Sequence, residues 1–339
     1  MRRIGLVVGL ACVTLMAWTA LAQPPRYKYF RAGNANDVQT KTQPGFALMG
    51  GGDDLDQAFQ WMCDRSGGGD FLILRATGDD DYNPYIQKLC HINSVATLII
   101  PDRAAAEDPF VASAIRHSEA VFIAGGDQAN YVNFWMGTPV QTALNEALAR
   151  GVPIGGTSAG LAVQGEFVYS AQGDKPDDAD LTSAETLRNP FNARVTIVHQ
   201  FLNNPLLKDV ITDTHFSARD RLGRTLVFMA RILSDGKATQ IRDIAVDERT
   251  AVLLEPDGMA TVTGNGVAYF LQSANKPEIC KANTPLTFRE ITVHALHAGE
   301  RFNVMRWSTA DGVSYELQVE SGVIQSNLPD GAVYVQHKK

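Results

Sequence analysis

Residues 152–166 read Val-Pro-Ile-Gly-Gly-Thr-Ser-Ala-Gly-Leu-Ala-Val-Gln-Gly-Glu, and this stretch decides the fold. Its first four residues have the character of a buried strand, and residues 161–166 open a short predicted helix. Between them, Gly156 to Gly160 have the Gly-x-Ser-x-Gly spacing that places a serine on a sharp turn from strand to helix. Small neighbours are needed because the serine backbone is strained there and its hydroxyl must project from the strand end. Ser158 is therefore the predicted nucleophile of a hydrolase, and an ordinary glycine-rich turn is the alternative.

The sequence around this turn alternates short apolar runs with segments of helix length. Runs that are apolar almost throughout indicate strands of a parallel sheet covered on both faces, and they lie at 45–50, 71–76, 95–100, 120–124 and 152–155. From about residue 259, Thr, Val, Tyr and Phe alternate with polar residues between glycine turns, which predicts antiparallel strands. We therefore predict an α/β domain with a mostly parallel sheet in residues 23–256, followed by a C-terminal β-rich addition in residues 257–339.

The first 22 residues have the pattern of a secretory signal peptide. A basic start at 1–3 precedes a largely apolar run at 4–18 and a small-x-small cleavage site at 20–22. A retained membrane anchor is the alternative, but the apolar run is short for a spanning helix. We expect a mature chain that begins near Gln23, is secreted or periplasmic, and has no membrane attachment after cleavage.

Export would place the cysteines of the mature chain, Cys63, Cys90 and Cys280, under oxidising conditions. A disulfide between Cys63 and Cys90, near the ends of successive predicted helices, would leave Cys280 free; three buried thiols are the alternative. Neither the cysteines nor the histidines have the spacing of a metal site, and we predict no metal and no cofactor. The net charge of −7 argues against nucleic acid as a partner, because binding to phosphates needs an excess of Lys and Arg.

A second glycine turn at 125–128 ends the strand that precedes the one carrying Ser158. Because the carboxyl ends of parallel strands meet at one edge of a sheet, the amide of Gly126 and the amide of Ala159 are candidate oxyanion donors. Gln128 is a candidate substrate ligand at the same edge. Asp127 is either another ligand or the N-cap of the next helix.

A serine nucleophile needs a base, and His215 is the best placed histidine because it follows a predicted strand at 210–212. Four nearby charged residues are candidates for binding a substrate that carries a carboxylate: Asp213, Arg219, Arg221 and Arg224. The alternatives are a structural histidine and a solvated helix face, on a helix predicted from Ser217 to Ile232.

Four segments together resemble the serine peptidase family of cyanophycinases and aspartyl dipeptidases. They are Ala-Gly-Gly-Asp-Gln at 124–128, Gly-Thr-Ser-Ala-Gly at 156–160, Asp-Thr-His-Phe-Ser-Ala-Arg-Asp-Arg-Leu-Gly-Arg at 213–224 and Ile-Ala-Val-Asp-Glu-Arg-Thr-Ala at 244–251. The resemblance implies a three-layer α/β fold related to class I glutamine amidotransferases. It also implies hydrolysis of β-aspartyl peptide bonds, as in cyanophycin, a polyaspartate with arginine on each side chain. The chain differs at Thr214 and Val132, where cyanophycinases commonly have Gln and a basic residue.

By position, the resemblance assigns Ser158 as nucleophile, His215 as base and Glu248 as the acid of a catalytic triad. Asp247 is the second choice for the acid, because neighbouring strand residues point in opposite directions and only one of the two can face the site. The implied oxyanion donors are the two amides already named, and the implied substrate binders are Gln128 and the three arginines. The expected partner is a peptide or polypeptide with β-linked aspartate, and a homodimer is compatible with the sequence.

Two other functions fit parts of the sequence. An esterase or lipase of the α/β-hydrolase type has the chain order serine, acid, histidine, which would recruit His294 or His297 as the base. A non-catalytic module would keep an arginine-lined pocket for an acidic ligand without turning it over. These two functions and the predicted peptidase differ in whether Ser158 is reactive and in which histidine activates it.

Overall fold

The structure, a computed structural model, describes residues 25–175 and 178–336, so the predicted signal peptide at 1–22 lies outside the described residues. Within them, the strands are β1 (Lys28–Gly33), β2 (Phe46–Met49), β3 (Asp70–Arg75), β4 (Ser94–Ile99), β5 (Ala120–Ile123), β6 (Ile154–Thr157), β7 (Phe167–Tyr169), β8 (Ile197–His199), β9 (Val210–Asp213), β10 (Ile241–Val246), β11 (Thr250–Leu254), β12 (Met259–Gly264), β13 (Ala268–Ser273), β14 (Phe288–Leu296), β15 (Arg301–Asn303), β16 (Val313–Glu320) and β17 (Val323–Ser326). The helices are α1 (Asp56–Arg65), α2 (Tyr82–Leu89), α3 (Arg103–Ala106), α4 (Pro109–Arg116), α5 (Gln128–Trp135), α6 (Pro139–Ala149), α7 (Ala159–Ala162), α8 (Ser183–Arg188) and α9 (Leu222–Ser234).

The first sheet has the strand order β1-β4-β3-β5-β6-β2-β11-β12-β15. Its centre, from β4 to β2, is parallel, because these strands alternate along the chain with helices that return to the same end of the sheet. Antiparallel strands extend the parallel centre on both sides. The predicted α/β class is therefore confirmed.

The second sheet has the order β17-β16-β14-β13-β10-β9-β7-β8. It is antiparallel except where β9 pairs in parallel with β10 and β7. Strands after residue 256 extend both sheets, since β12 and β15 join the first and the others join the second. The predicted boundary at residue 256 falls between β11 and β12, which are paired with each other.

Helices cover the sheets where the strands are apolar. Helices α1 and α2 pack on one face of the first sheet, where the rings of Phe59 and Phe122 lie 4.6 Å apart. The other face packs against α4, α6 and the second sheet, and α9 covers the outer face of the second sheet. Each large apolar side chain buried in these layers contributes about 1.5–3 kcal/mol.

Helix α9 begins at Leu222, five residues after the predicted start at Ser217. The segment before it is a turn in which His215 and Asp220 have φ of 48° and 46°, in the left-handed region. A helix cannot pass through such residues. The turn therefore delays the start of α9, and His215 lies just after β9, at the strand end where the sequence predicted it.

Cys63, in α1, and Cys90, directly after α2, form a disulfide with their Cα atoms 6.1 Å apart. Cys280 is a free, half-buried thiol. Of the two alternatives that the sequence left open, the structure has the single disulfide. In residues 25–175 and 178–336 no helix has the length and apolar character that crossing a membrane requires.

Residues 329–336, which we call the C-terminal strap, pack against the turn that carries His215. The hydroxyl of Tyr334 accepts a hydrogen bond from the Leu222 amide at 3.0 Å and donates one to Asp220 at 3.0 Å. Its ring packs edge to face on Phe216, with centroids 5.7 Å apart. The strap thus satisfies an amide at the start of α9, where a helix supplies no acceptor of its own.

Asp243 is a fully buried carboxyl group in β10, in register with Ile211 of β9. Among the described residues neither of its oxygens has a hydrogen-bond partner. Burial raises the pKa of Asp243 well above its usual range, and the charge of Asp213 raises it further. The folded protein therefore binds a proton at Asp243 that the unfolded chain releases above about pH 4.

We predict that Asp243→Asn stabilises the protein relative to the parent at neutral pH. In the parent, stability falls as pH rises above the unfolded pKa of about 4, because only the unfolded chain ionises this group. The neutral amide removes that dependence, so the gain in free energy of unfolding should grow with pH. Urea unfolding between pH 4 and 8 measures it, with the exposed Glu107→Gln as control. A gain that is absent or shrinks with pH contradicts the prediction.

Candidate active site

The strand-to-helix turn at Ser158 has the strained geometry that its sequence predicts. Ser158 has φ 52° and ψ −117°, β6 ends just before it and α7 begins just after it. A Cβ on Gly156 would lie 2.5 Å from the backbone of Gly160, and a Cβ on Gly160 would lie 1.9 Å from the carbonyl oxygen of Ile123. The two glycines are required because the chain passes too close to itself for a side chain.

A row of hydrogen bonds joins Ser158, His215 and Glu248. The hydroxyl oxygen of Ser158 lies 2.8 Å from His215 Nε2, and His215 Nδ1 lies 2.6 Å from Glu248 Oε1. Ser158 follows a strand of the first sheet, His215 follows β9 of the second, and Glu248 lies between β10 and β11, which belong to different sheets. The three residues therefore meet where the two sheets adjoin.

A glycine turn after β2 holds this junction together. The carbonyl of Gly50 accepts a hydrogen bond from the His215 amide, and that of Gly51 accepts one from the Arg249 amide, both at 2.8 Å. Gly51 has φ +98°, and a Cβ on it would lie 2.3 Å from His215 Cε1. The sequence analysis did not single out Gly51 as part of the site, although a glycine pair directly after a predicted strand was the available signal.

Asp247, the second choice for the acid, has a different position. It is buried, and it accepts hydrogen bonds from the amides of Ser217 at 2.8 Å and Val267 at 3.1 Å. Its contacts fix the turn after His215 to the loop before β13. Of the two neighbouring acids, Glu248 is the one beside the imidazole.

The two candidate oxyanion donors lie at the edge of the same cavity as Ser158. Gly126 follows β5, and Ala159 is the first residue of α7, where the amide has no acceptor within the helix. The hydroxyl of Tyr131 donates to the carbonyls of Ala124 at 2.8 Å and Gly125 at 3.1 Å, which holds the glycine turn in place. Both amides therefore belong to short, well-anchored turns beside the serine.

The cavity at Ser158 has a volume of about 610 Å³ and a mainly polar lining. Gln128 lines it from the start of α5, and Arg219 and Arg221 line it from the turn after His215. Both arginines bind the carboxylate of Asp180, at 3.0 Å from Arg219 and 2.7 Å from Arg221. The sequence analysis missed Asp180, because no local pattern in its acidic loop indicates that distant contact.

Asp213 and Arg224, two of the candidate substrate ligands, form a buried ion pair with each other. The guanidinium of Arg224 contacts both carboxylate oxygens, and Thr225 and the Thr214 amide also donate to Asp213, each at 2.8 Å. Burial raises the pKa of Asp213, but the charge of Arg224 outweighs it and the net shift is downward. Both residues line the cavity, and direct binding of substrate by either of them stays a prediction.

The environment of His215 favours the neutral imidazole. Burial lowers the pKa of His215, and the charges of Arg219 and Arg221 act in the same direction, whereas the hydrogen bond that His215 Nδ1 donates to Glu248 raises it. The hydrogen bond to His215 lowers the pKa of Glu248, so this carboxylate is ionised at neutral pH. A neutral ring with an ionised partner can accept a proton from the serine hydroxyl.

The two histidines of the esterase alternative make their hydrogen bonds outside the row of Ser158, His215 and Glu248. His294 in β14 lies 2.7 Å from Ser314, and Nε2 of His297 lies 3.0 Å from the carbonyl of Gln336. The base of the esterase alternative would have to come from one of these two. Across the described ranges 25–175 and 178–336, no group of three or more His, Cys, Asp or Glu is arranged to hold a metal ion.

Comparisons with known proteins agree on one family. A family model described as Peptidase family S51 matches residues 48–260, more than half of the chain. Proteins named cyanophycinase from Trichormus variabilis and a Nostoc species are each 29% identical to the chain over 216 residues, which is 62% of this chain and 65% of theirs. The chain thus spans slightly less than two thirds of these relatives. A cyanophycinase of Synechococcus elongatus is 27% identical over 272 residues, 76% of this chain and 78% of that protein.

Among solved structures, the chain is similar to the crystal structure of a peptidase from an acI-B1 Actinobacterium. The TM-score is 0.50 at 15% sequence identity, and the match covers 78% of this chain and 98% of that chain. A likeness at this identity concerns the fold alone. It confirms the predicted α/β architecture, while the relation to class I glutamine amidotransferases stays a prediction.

We predict that Glu248→Gln and Asp247→Asn have opposite effects. Glu248→Gln removes the charge that orients His215, so labelling of Ser158 by a fluorophosphonate should slow by at least about a hundredfold with the fold intact. Asp247→Asn weakens buried contacts and should cost about 1–3 kcal/mol of stability, with labelling largely retained. Labelling kinetics and thermal unfolding of both variants measure this. The reverse pattern would mean that Asp247 is the functional acid.

We also predict the pH dependence of that labelling. The hydroxyl reacts only when His215 is neutral, and the pKa of His215 is lowered from 6.5. Labelling should therefore increase with pH, with a midpoint below 6.5. A pH series on the purified protein tests this, and a midpoint above 6.5 would contradict it.

Proposed function

Because the chain belongs to peptidase family S51, as the sequence resemblance predicted, we propose that it is a serine-type peptidase that cleaves β-aspartyl bonds. The observation that carries the proposal is the hydrogen-bonded row of Ser158, His215 and Glu248, of which Ser158 lines a polar cavity. In this proposal Ser158 is the nucleophile, His215 the base and Glu248 the acid that orients it. The order of the three along the chain differs from that of an α/β-hydrolase.

The proposed reaction is acyl transfer in two halves. His215 Nε2 takes the proton of the Ser158 hydroxyl as the oxygen attacks the peptide carbonyl, and then gives it to the leaving amine. Water attacks the acyl-enzyme by the same path in reverse and releases the second product. Glu248 keeps Nδ1 protonated and stabilises the imidazolium that forms in each half.

The amides of Gly126 and Ala159 would bind the negative oxygen that develops during attack. Both flank the serine at the carboxyl ends of β5 and β6, where amide groups and the start of α7 favour negative charge. Loss of one such donor typically costs a factor of about 10² to 10³ in rate. The anchored glycine turn supports this role because its position is set before substrate arrives.

We propose that the substrate is a peptide or polymer with β-linked aspartate, with release of β-Asp-Arg dipeptides from cyanophycin as the leading reaction. A β-linked aspartate keeps a free α-carboxylate beside the scissile bond, and guanidinium groups bind carboxylates well. Arg219, Arg221 and Gln128 line the cavity and suit that group. Three relatives named cyanophycinase support the same choice.

We further propose that the protein acts outside the cytoplasm, after removal of residues 1–22. The Cys63–Cys90 disulfide supports this, because disulfides form and persist in oxidising compartments such as the periplasm and the extracellular medium. A polymer too large to enter a cell would be accessible there.

The proposed function is tested by incubating the purified protein with cyanophycin, β-Asp-Arg and isoaspartyl dipeptides, followed by mass spectrometry of the products. We expect β-Asp-Arg from the polymer, and no product from Ser158→Ala or His215→Ala. Both variants remove side chains without filling the cavity, so thermal unfolding should report intact folds.

Three other outcomes would overturn the proposal. Cleavage of simple esters that survives His215→Ala would favour the esterase alternative with its base at His294 or His297. A folded protein that neither cleaves any substrate nor reacts with a fluorophosphonate would favour the binding module. Labelling of Ser158 without cleavage would mean that Ser158 is reactive but that the substrate is a different amide.

A further inference from the structure

The arginine pair in the cavity already has a carboxylate bound to it. Asp180 Oδ2 accepts hydrogen bonds from Arg219 at 3.0 Å and from Arg221 at 2.7 Å. Arg221 uses its other terminal nitrogen for the carbonyl and hydroxyl of Thr214, at 3.0 and 3.1 Å. The nitrogen of Arg221 that faces outward is therefore bound to a carboxylate of the protein itself.

Asp180 is held at this place by its neighbours. Leu181 is buried, and Thr182 caps α8 through a reciprocal contact with Glu185. The side chain of Asp180 remains 54% exposed, whereas that of Arg221 is only 9% exposed. The carboxylate can thus turn into solvent, while the guanidinium of Arg221 cannot leave the cavity wall.

Because Asp180 is held on Arg219 and Arg221 by opposite charge, another anion can take its place. Burial raises the pKa of Asp180, but hydrogen bonds and charge from Arg221 and Arg219 lower it to about 2. If Asp180 left without a substitute, the buried guanidinium of Arg221 would keep only the longer carboxylate contact, to Asp213 at 3.8 Å, which is costly. A second carboxylate that arrives as Asp180 leaves restores the same pairing, so the exchange is close to neutral in energy.

We propose that Asp180 is a specificity-determining residue that occupies the position of the substrate's free carboxylate on Arg219 and Arg221 until a substrate carboxylate displaces it. This inference rests on the proposed function for the identity of that carboxylate. A substrate without the group leaves Asp180 in place, where its charge and bulk fill part of the cavity. Asp180 therefore selects against ordinary peptides and lowers the apparent affinity for true substrates.

Asp180→Asn tests the inference, because the amide keeps the shape but competes poorly for a guanidinium pair. With a β-aspartyl dipeptide we expect KM to fall about tenfold, as for loss of one competing charge-assisted contact. We expect kcat to change little, since the competition acts on binding alone. Glu107→Gln, at an exposed acid that does not line this cavity, is the control and should leave KM unchanged.

A binding measurement separates this inference from the proposed function. By calorimetry, Asp180→Asn should bind L-aspartate about tenfold more tightly than the parent, with no change for L-asparagine amide, which has no carboxylate. Tighter binding without any hydrolysis in either protein would retain the inference and overturn the proposed reaction. Equal or weaker binding of L-aspartate, or a raised KM, would overturn the inference, because Asp180 would then only position the arginines.

Discussion

The absence of a side chain at Gly51 is the constraint on which the rest of the site depends. The imidazole of His215 lies where a Cβ of Gly51 would be, and the backbone of Gly50 and Gly51 binds both the histidine turn and the turn at Arg249. This one glycine turn belongs to the first sheet, whereas His215 is carried by the second. The sheets can come together at the candidate active site only because Gly51 has no side chain.

A site built at such a junction has a physical advantage for the proposed serine mechanism. The nucleophile needs a rigid, strained turn, and the base needs enough room to hold its ring between an alcohol and a carboxylate. In this protein different segments meet these two requirements. Strand β6 and helix α7 fix Ser158, and the turn before α9 fixes His215. Glu248 lies on the connection from β10 to β11, so the sheets are also joined covalently beside the acid.

The sequence predicts the structure correctly where interactions between residues close together in the chain determine it. The predicted strands at 71–76 and 95–100 correspond to β3 and β4 within one residue, because buried parallel strands are apolar throughout. The predicted start of α9 was wrong because Asp220, a left-handed residue inside the predicted helix, interrupts it without any glycine or proline to mark the break. The second sheet was not predicted, since β7 and β8 have three residues each and their pairing depends on distant strands.

The same limit applies to the site. Ser158, His215 and Glu248 can be singled out from spacing and resemblance, and the structure brings them within hydrogen-bond distance. Strand alternation says that only one of Asp247 and Glu248 can face the histidine, but it does not say which. The roles of Asp180 and Gly51 could not be predicted from the sequence, because the residue that each contacts lies at least 39 positions away along the chain.

The position of the C-terminal strap in the sequence determines when its contacts can form during synthesis. Residues 329–336 follow every strand and helix of the two sheets in the chain, yet Tyr334 supports the start of α9 and packs beside the residue next to His215. Translation runs from the N-terminus, so the strands of both sheets are synthesised before this segment. The contacts of Tyr334 that complete the start of α9, beside the turn that carries His215, can therefore form only after the strands of both sheets have been translated.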